Sequence, residues 1–249
     1  MHFRATAALL ASAALALSAC GKSDDAAKAP AASASALPTV AAPAGKAWAD
    51  VVEQTADGGV RIGNPEAPIK LVEYGSLSCP HCAKLSQDGA ATIIDKYVGS
   101  GRVNWEFRSF AIHPQDIPLT VLVKCASKEA FFPLVDQLYA NFDAMNAVLE
   151  DKTVLARAEA TGKMPPNQRF VALADALGYT QFFAQRGVAV EQANACLADP
   201  SKAQAVADLA SKYGAAGIES TPTLELNGAR LGVAEWPGLE AALQAAGAR

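Results

Sequence analysis

The sequence predicts an α/β fold that is opened part-way along by an all-helical block. Three observations predict it. A short apolar run of strand length, Ile69 to Tyr74, leads through a loop into a helix that opens at Pro80. The interval from about Asp116 to Gly214 has helical spacing and little strand signal. Alternating apolar sequence, Thr223 to Leu226, returns only after that block and ends on Asn227-Gly228, the strongest short hairpin turn.

The elements follow in order. Met1 to Arg4 is a short positive start, and Ala5 to Ala19 is an apolar run closed by small residues and too short to span a bilayer comfortably. Residues 1–19 therefore form an export signal. From 20 to 46 the chain is rich in Ala, Ser and Pro with no apolar period, the composition of a disordered tether. Trp48 to Gln54 is expected as one or two helical turns, and Asp57-Gly58-Gly59 as a turn into a short strand, Val60 to Ile62. Ile69 to Tyr74 is a buried central strand. Ser76 to Cys79 is a loop, and because proline is favoured in a first helical turn, one helix runs from Pro80 to about Val98. Val103 to Phe107 alternates as a half-buried strand does.

Four or more helices fill the block that follows, among them Leu119 to Ala126, Ala130 to Phe142, Asn167 to Leu177 and Ser201 to Tyr213. Apolar faces such as Phe131, Phe132, Leu134, Val135, Leu138 and Tyr139 belong to the core. Arg230 to Val233 is the second strand of the hairpin, and a last helix covers about Pro237 to Ala246. The expected organisation is a leader (1–19), a tether (20–46), an α/β domain built from 47–115 and 216–249, and an inserted helical subdomain (116–215).

The formal charge is -4, and Arg4 is the one charged residue of the leader, so its removal makes the chain slightly more acidic. No Lys/Arg cluster interrupts this, and the basic footprint that nucleic acid requires is missing.

The chemistry is concentrated in Cys79-Pro80-His81-Cys82. Two cysteines at this spacing, the first at a helix start, stand one turn apart and can close a disulfide without distorting the chain. The free amide groups and positive end of the helix stabilise a thiolate on the first, which belongs to the class of sites with a pKa of about 3.5 to 7.5. His81 adds hydrogen bonding or positive charge. Stabilising the thiolate stabilises the dithiol, which makes the disulfide a stronger oxidant. The competing reading is half of a zinc site, which needs two further ligands. Cys125 and Cys196 are far apart in helical sequence, His2 is in the leader and His113 in a loop, and export to an oxidising compartment disfavours zinc thiolates. No metal and no cofactor beyond the redox-active disulfide are expected.

Strand Lys70-Leu71-Val72-Glu73-Tyr74, then Cys79-Pro80-His81-Cys82, then Thr221-Pro222-Thr223 before a strand together resemble the DsbA-like thiol:disulfide oxidoreductases of the bacterial envelope. The resemblance covers nearly everything from Gly58 to the C-terminus and implies a thioredoxin-like fold with a helical insertion. It implies Cys79 as the exposed nucleophile that forms a mixed disulfide with a client, Cys82 as its buried partner, and Pro80 with His81 as the dipeptide that sets redox poise. Thr221-Pro222 is expected as a cis bond against the active disulfide, its proline without an N–H to compete for the thiolate and its Thr221 backbone free to pair with an extended client. Glu73, the lone acid of its strand, is implied as a buried proton carrier for the inner cysteine; the alternative is a strand-edge Glu facing water. His113 is expected as a solvated loop residue.

Leu17-Ser18-Ala19-Cys20 resembles the lipobox of bacterial lipoproteins, which implies cleavage before Cys20 and its acylation, giving a stable anchor. The rival is ordinary cleavage and a soluble product. With five cysteines, lipid on Cys20 and chemistry at Cys79 and Cys82 leave Cys125 and Cys196 as one pair; some relatives carry a second, structural disulfide in the insert, the alternative being two separately buried thiols. The resemblance thus implies a periplasmic, lipid-anchored protein that donates disulfides to reduced exported proteins and is reoxidised by a quinone-linked membrane partner, and the short stretch between tether and first strand, which leaves no room for the dimer domain of related isomerases, leads to the expectation of a monomer. Gly21 lacks the Asp that retains lipoproteins at the inner membrane, which favours the outer. A reductase or isomerase, and a non-enzymatic chaperone, are the alternatives.

Overall fold

The computed structural model describes residues 35–249. The leader, Cys20 and the first part of the expected tether lie outside the described residues. The rest of that tether is held to the body rather than free of it. Leu37 N donates to Gly247 O and Val40 N to Ser100 O, each at 2.9 Å, and the Trp48 indole donates to Val40 O at 2.7 Å. An Ala/Pro composition does not foretell this, because the partners are backbone carbonyls far along the chain.

A single 3-10 turn, Trp48–Asp50, precedes strand β1 (Val52–Gln54), which pairs antiparallel with β2 (Val60–Gly63) where helical turns were expected. Three residues carry no usable period, and the pairing with β2 decides their conformation. β3 (Ile69–Gly75) is central: Ile69 and Leu71 are fully buried, and it lies between the antiparallel strand Thr223–Leu226 and the parallel strand Val103–Ser109. Helix α1 (Pro80–Thr92) does not continue regularly to Val98. Residues Ile93–Val98 form a wider turn, in which Gly99 N reaches back five residues to Ile94 O at 2.8 Å. β4 (Val103–Ser109) is buried on both faces apart from Arg108, not half-exposed. Its polar residues are satisfied in place, with the Asn104 amide donating to Asn64 O at 2.9 Å and Glu106 accepting from Arg108 and Thr55.

The insert holds α2 (Asp116–Cys125), α3 (Phe131–Ala140), α4 (Phe142–Ala147), α5 (Lys152–Ala160), α6 (Pro166–Ala176), α7 (Tyr179–Ala184), α8 (Val190–Leu197) and α9 (Pro200–Ala215). The six apolar residues of α3 named above are all buried. Two of them meet the sheet, Phe132 with its ring 5.0 Å from Trp105 and Phe131 with its ring 5.9 Å from Phe107. A disulfide, Cys125–Cys196, ties α2 to α8 across 71 residues of sequence. At the far end α9 rests on the sheet again. Tyr213 packs edge-on against Tyr74 at 5.2 Å, and Asp57 accepts from both Lys212 and Arg108.

β5 (Thr223–Leu226) runs antiparallel to β3, and β6 (Ala229–Arg230) closes the hairpin. Asn227 and Gly228 have φ of 51° and 80°, the left-handed pair that a two-residue hairpin needs. β6 ends at Arg230 instead of reaching Val233. Helix α10 (Trp236–Ala245) completes the fold, and the sheet order is β1-β2-β4-β3-β5-β6. Among the described residues no helix is long and apolar enough to cross a membrane.

Candidate active site

The C-terminal end of β3 delivers the chain into a loop and then into α1, with Cys79 at the N-cap and Pro80 in the first turn. This places both sulfurs beside the unsatisfied amide groups of the helix start. Cys79 and Cys82 are both free thiols here, the dithiol form of the pair. From the other side comes the loop before β5. Its Thr221-Pro222 bond is cis, and Thr221 O accepts from the Cys79 thiol at 3.4 Å across 142 residues of sequence.

The two sulfurs meet different surroundings. A hydrogen bond from the Cys82 thiol, then contributions from Thr221 and the amide groups of Cys82 and His81, pull the Cys79 thiol down to about 5 against the opposing effect of burial. Burial first, then the neighbouring Cys79 and Glu73, push the Cys82 thiol well above its usual range. Glu73 is 3% exposed, so it does not face water at the strand edge. Burial raises its carboxyl to about 8, with the Trp105 indole acting in the other direction. An inner thiol and a carboxyl that both favour the protonated form stand beneath a thiol that favours the ionised one. Such a set can take an electron pair on the outer sulfur and a proton on the inner groups.

One expectation requires correction. Cys79 is not an exposed residue: only 4% of its surface is open, because the Thr221-Pro222 loop lies over it. His81 is exposed at the rim. Beside it a cleft of about 490 Å³ is bounded by His81, Leu85, Thr221, Pro222 and Trp236. Trp236 stands where Gly89 has no side chain, so α10 packs close to α1 and helps to wall the cleft.

Asp116 is the site residue that the sequence reading missed. It is completely buried, and its carboxylate accepts from the Ser76 hydroxyl and the Ser78 amide at 2.9 Å, from Ile112 N at 3.0 Å and from His113 N at 2.9 Å. Four donors from two loops converge on one side chain and lock the segment just before Cys79 to the β4–α2 loop. Tyr139 on α3 strengthens the same joint, its hydroxyl donating to Ser76 O at 2.9 Å. His113 is half-exposed but not simply solvated, since its Nδ1 lies 3.1 Å from the Ser78 hydroxyl. The sequence reading began this helix at Leu119 and left Asp116 ahead of it, and the partners Ser76 and Ser78, about forty residues upstream, carried no signal. Cys125 and Cys196 lie apart from this site, joined to each other, and Cys20 lies outside the described residues.

The family model described as thioredoxin matches residues 55–245. The "Putative protein-disulfide oxidoreductase" of Rickettsia prowazekii is 30% identical over 69 residues, 28% of this chain and 25% of the relative. The chain thus spans about a quarter of the length of the curated relatives it matches first. The crystal structure of a protein-disulfide isomerase from Novosphingobium aromaticivorans superposes with a TM-score of 0.71 at 25% identity, covering 77% of this chain and 98% of that one. Wolbachia pipientis alpha-DsbA1 shares the fold with a TM-score of 0.54 at 22% identity, over 75% of this chain and 90% of that one.

Proposed function

This chain belongs to the thioredoxin family, in the DsbA-like form with a helical insertion, and on that premise we propose that it is a thiol:disulfide oxidoreductase that donates a Cys79–Cys82 disulfide to exported proteins. The observation that carries the reading is the unequal environment of the two sulfurs, one held ionised and one held protonated. In the oxidised protein a client thiolate attacks the Cys79 sulfur. The S–S bond breaks, and Cys82 leaves with the electron pair and takes a proton, for which the Glu73 carboxyl, raised to about 8, is the donor. A second client thiol loses its proton and attacks the client sulfur of the mixed disulfide, releasing Cys79 as a thiolate. The client is oxidised by two electrons and the protein is left as the dithiol. A low pKa makes Cys79 a fast leaving group in the second step and favours the reduced protein overall.

Pro80 and His81 set the poise in this scheme, and the Thr221 backbone is the strand partner for the client. The quinone-linked membrane partner, the monomeric state and the lipid anchor at Cys20 of the envelope are parts of the same proposal. Equilibration with glutathione tests its direction. A potential more oxidising than about -150 mV is the expected result, and one well below about -200 mV would replace the donor with a reductase. An isomerase is the second reading. The name of the Novosphingobium structure favours it, and refolding of a scrambled-disulfide substrate, faster than oxidation of a reduced one, would establish it.

A further inference from the structure

We propose that Glu235, beside Trp236 in the cleft next to the thiols, selects clients that carry a basic residue flanking their reactive cysteine. The proposal rests on the reading above and deepens it, from exported thiol proteins in general to those with a cation at the site of exchange. The cleft of about 490 Å³ belongs to the reactive site by shared residues. Thr221, whose carbonyl accepts from the Cys79 thiol at 3.4 Å, lines it together with Pro222 and His81. A client joined through sulfur to Cys79 and paired with the Thr221 backbone therefore lays neighbouring side chains into this space.

Two walls of the cleft decide which side chain fits. The first is charged. Of the ionisable groups in the lining, Lys84 and Asp88 neutralise each other, the ammonium standing 2.5 Å from both carboxylate oxygens, and His81 is exposed at the rim. Glu235 is left over. It occupies the N-cap of α10, where an acid ordinarily accepts from the helix amide groups, yet its side chain caps nothing. It is exposed, and among the described residues its carboxylate makes no hydrogen bond and no ion pair. The second wall is the Trp236 ring, which the fold holds still. An ideal Cβ on Gly89 would lie 2.3 Å from Trp236 Cε3, and the Tyr97 ring meets the indole edge-on at 6.3 Å. A fixed indole next to an uncommitted carboxylate suits a guanidinium or an ammonium on an aliphatic stem, which lies along the ring and brings its charge to the acid. An apolar side chain would use the ring alone, and an acidic one would meet Glu235 with like charge.

The test uses the oxidised full-length protein and three Gly/Ser dithiol peptides in which both cysteines are flanked by Arg, by norleucine or by Glu. The KM of the Arg peptide should lie below that of the norleucine peptide by about fivefold, corresponding to about 1 kcal/mol, and that of the Glu peptide should lie above it. Glu235→Gln should remove the preference, and Glu235→Lys should invert it. A charge beside the client thiol alters that thiol equally for every form of the protein, so the change of order between parent and variants isolates the cleft. Equal KM values for the three peptides, or the same order in the parent and in Glu235→Lys, overturn the proposal. If no peptide is oxidised, the donor reading has failed separately. Fluorescence anisotropy with Ser-for-Cys versions of the peptides then decides the selectivity by itself: tighter binding of the Arg peptide to the parent than to Glu235→Lys supports it, and equal binding to both, or none, overturns it.

Discussion

Cys79 and Cys82 stand three residues apart and are both free, whereas Cys125 and Cys196 stand 71 residues apart and are joined. The near pair sits at a helix start under a loop carbonyl, with a buried acid beneath it. The far pair links the ends of two insert helices, where the Gln192 side-chain amide donates to Cys125 O at 2.8 Å. The contrast teaches that closeness alone does not make a reactive dithiol. What sets the near pair apart is inequality, because the fold stabilises a charge on one sulfur and refuses it on the other.

That contrast can be broken by substitution. Cys79→Ser should lower oxidation of a dithiol peptide by about a thousandfold or more, while Cys125→Ser combined with Cys196→Ser should leave it within about threefold. A comparable loss in both proteins would erase the distinction. In urea the order should reverse. The double variant of the far pair should lose on the order of 4 kcal/mol in the chain-entropy account of a 71-residue loop, and Cys79→Ser should lose little.

Asp116→Ala sharpens the comparison at the loop before the nucleophile. It strips the amides of Ser78, Ile112 and His113 of their shared acceptor, which should cost about 3 kcal/mol of stability. It should also slow the Cys79 reaction without touching either sulfur. Unchanged urea unfolding would mean that the carboxylate is not the bolt described.

Glu73→Gln has an effect that vanishes in acid and the most specific signature. The Glu73 carboxyl is raised from 4.5 to about 8 in the fold, so its contribution is full below pH 4.5 and is lost as pH rises toward 8. The variant has no such loss. Its stability relative to the parent should therefore be level below pH 4.5 and grow to about 3 kcal/mol by pH 7. A difference that stays constant from pH 4 to 8 would place the carboxyl in water.

Much of the site was legible because its parts are marked locally. Pro80 after Cys79 announces a helix start, whereas Thr221-Pro222 was marked only by the resemblance to DsbA-like proteins, in which that motif precedes a strand. The unmarked parts depend on distant partners. Asp116 looks like any acid in a first helical turn, and its assignment to the insert hid that it serves the active-site loop. β1 was missed because β2 supplies its hydrogen bonds. β4 alternates as a half-buried strand would, yet Asn64 and Arg108 satisfy its polar face inside the protein.

The segment around Leu37 and Val40 gives the molecule a handle. It grips Gly247 and Ser100, at the end of the sheet where β3 and β4 begin, whereas the thiols lie beyond the end where those strands stop. Seven residues of strand separate the two poles by roughly 20 Å. The handle and the reactive sulfurs therefore stand at opposite ends of the same central strands, so that what the chain is tied to by its front and what it reacts with do not compete for one face.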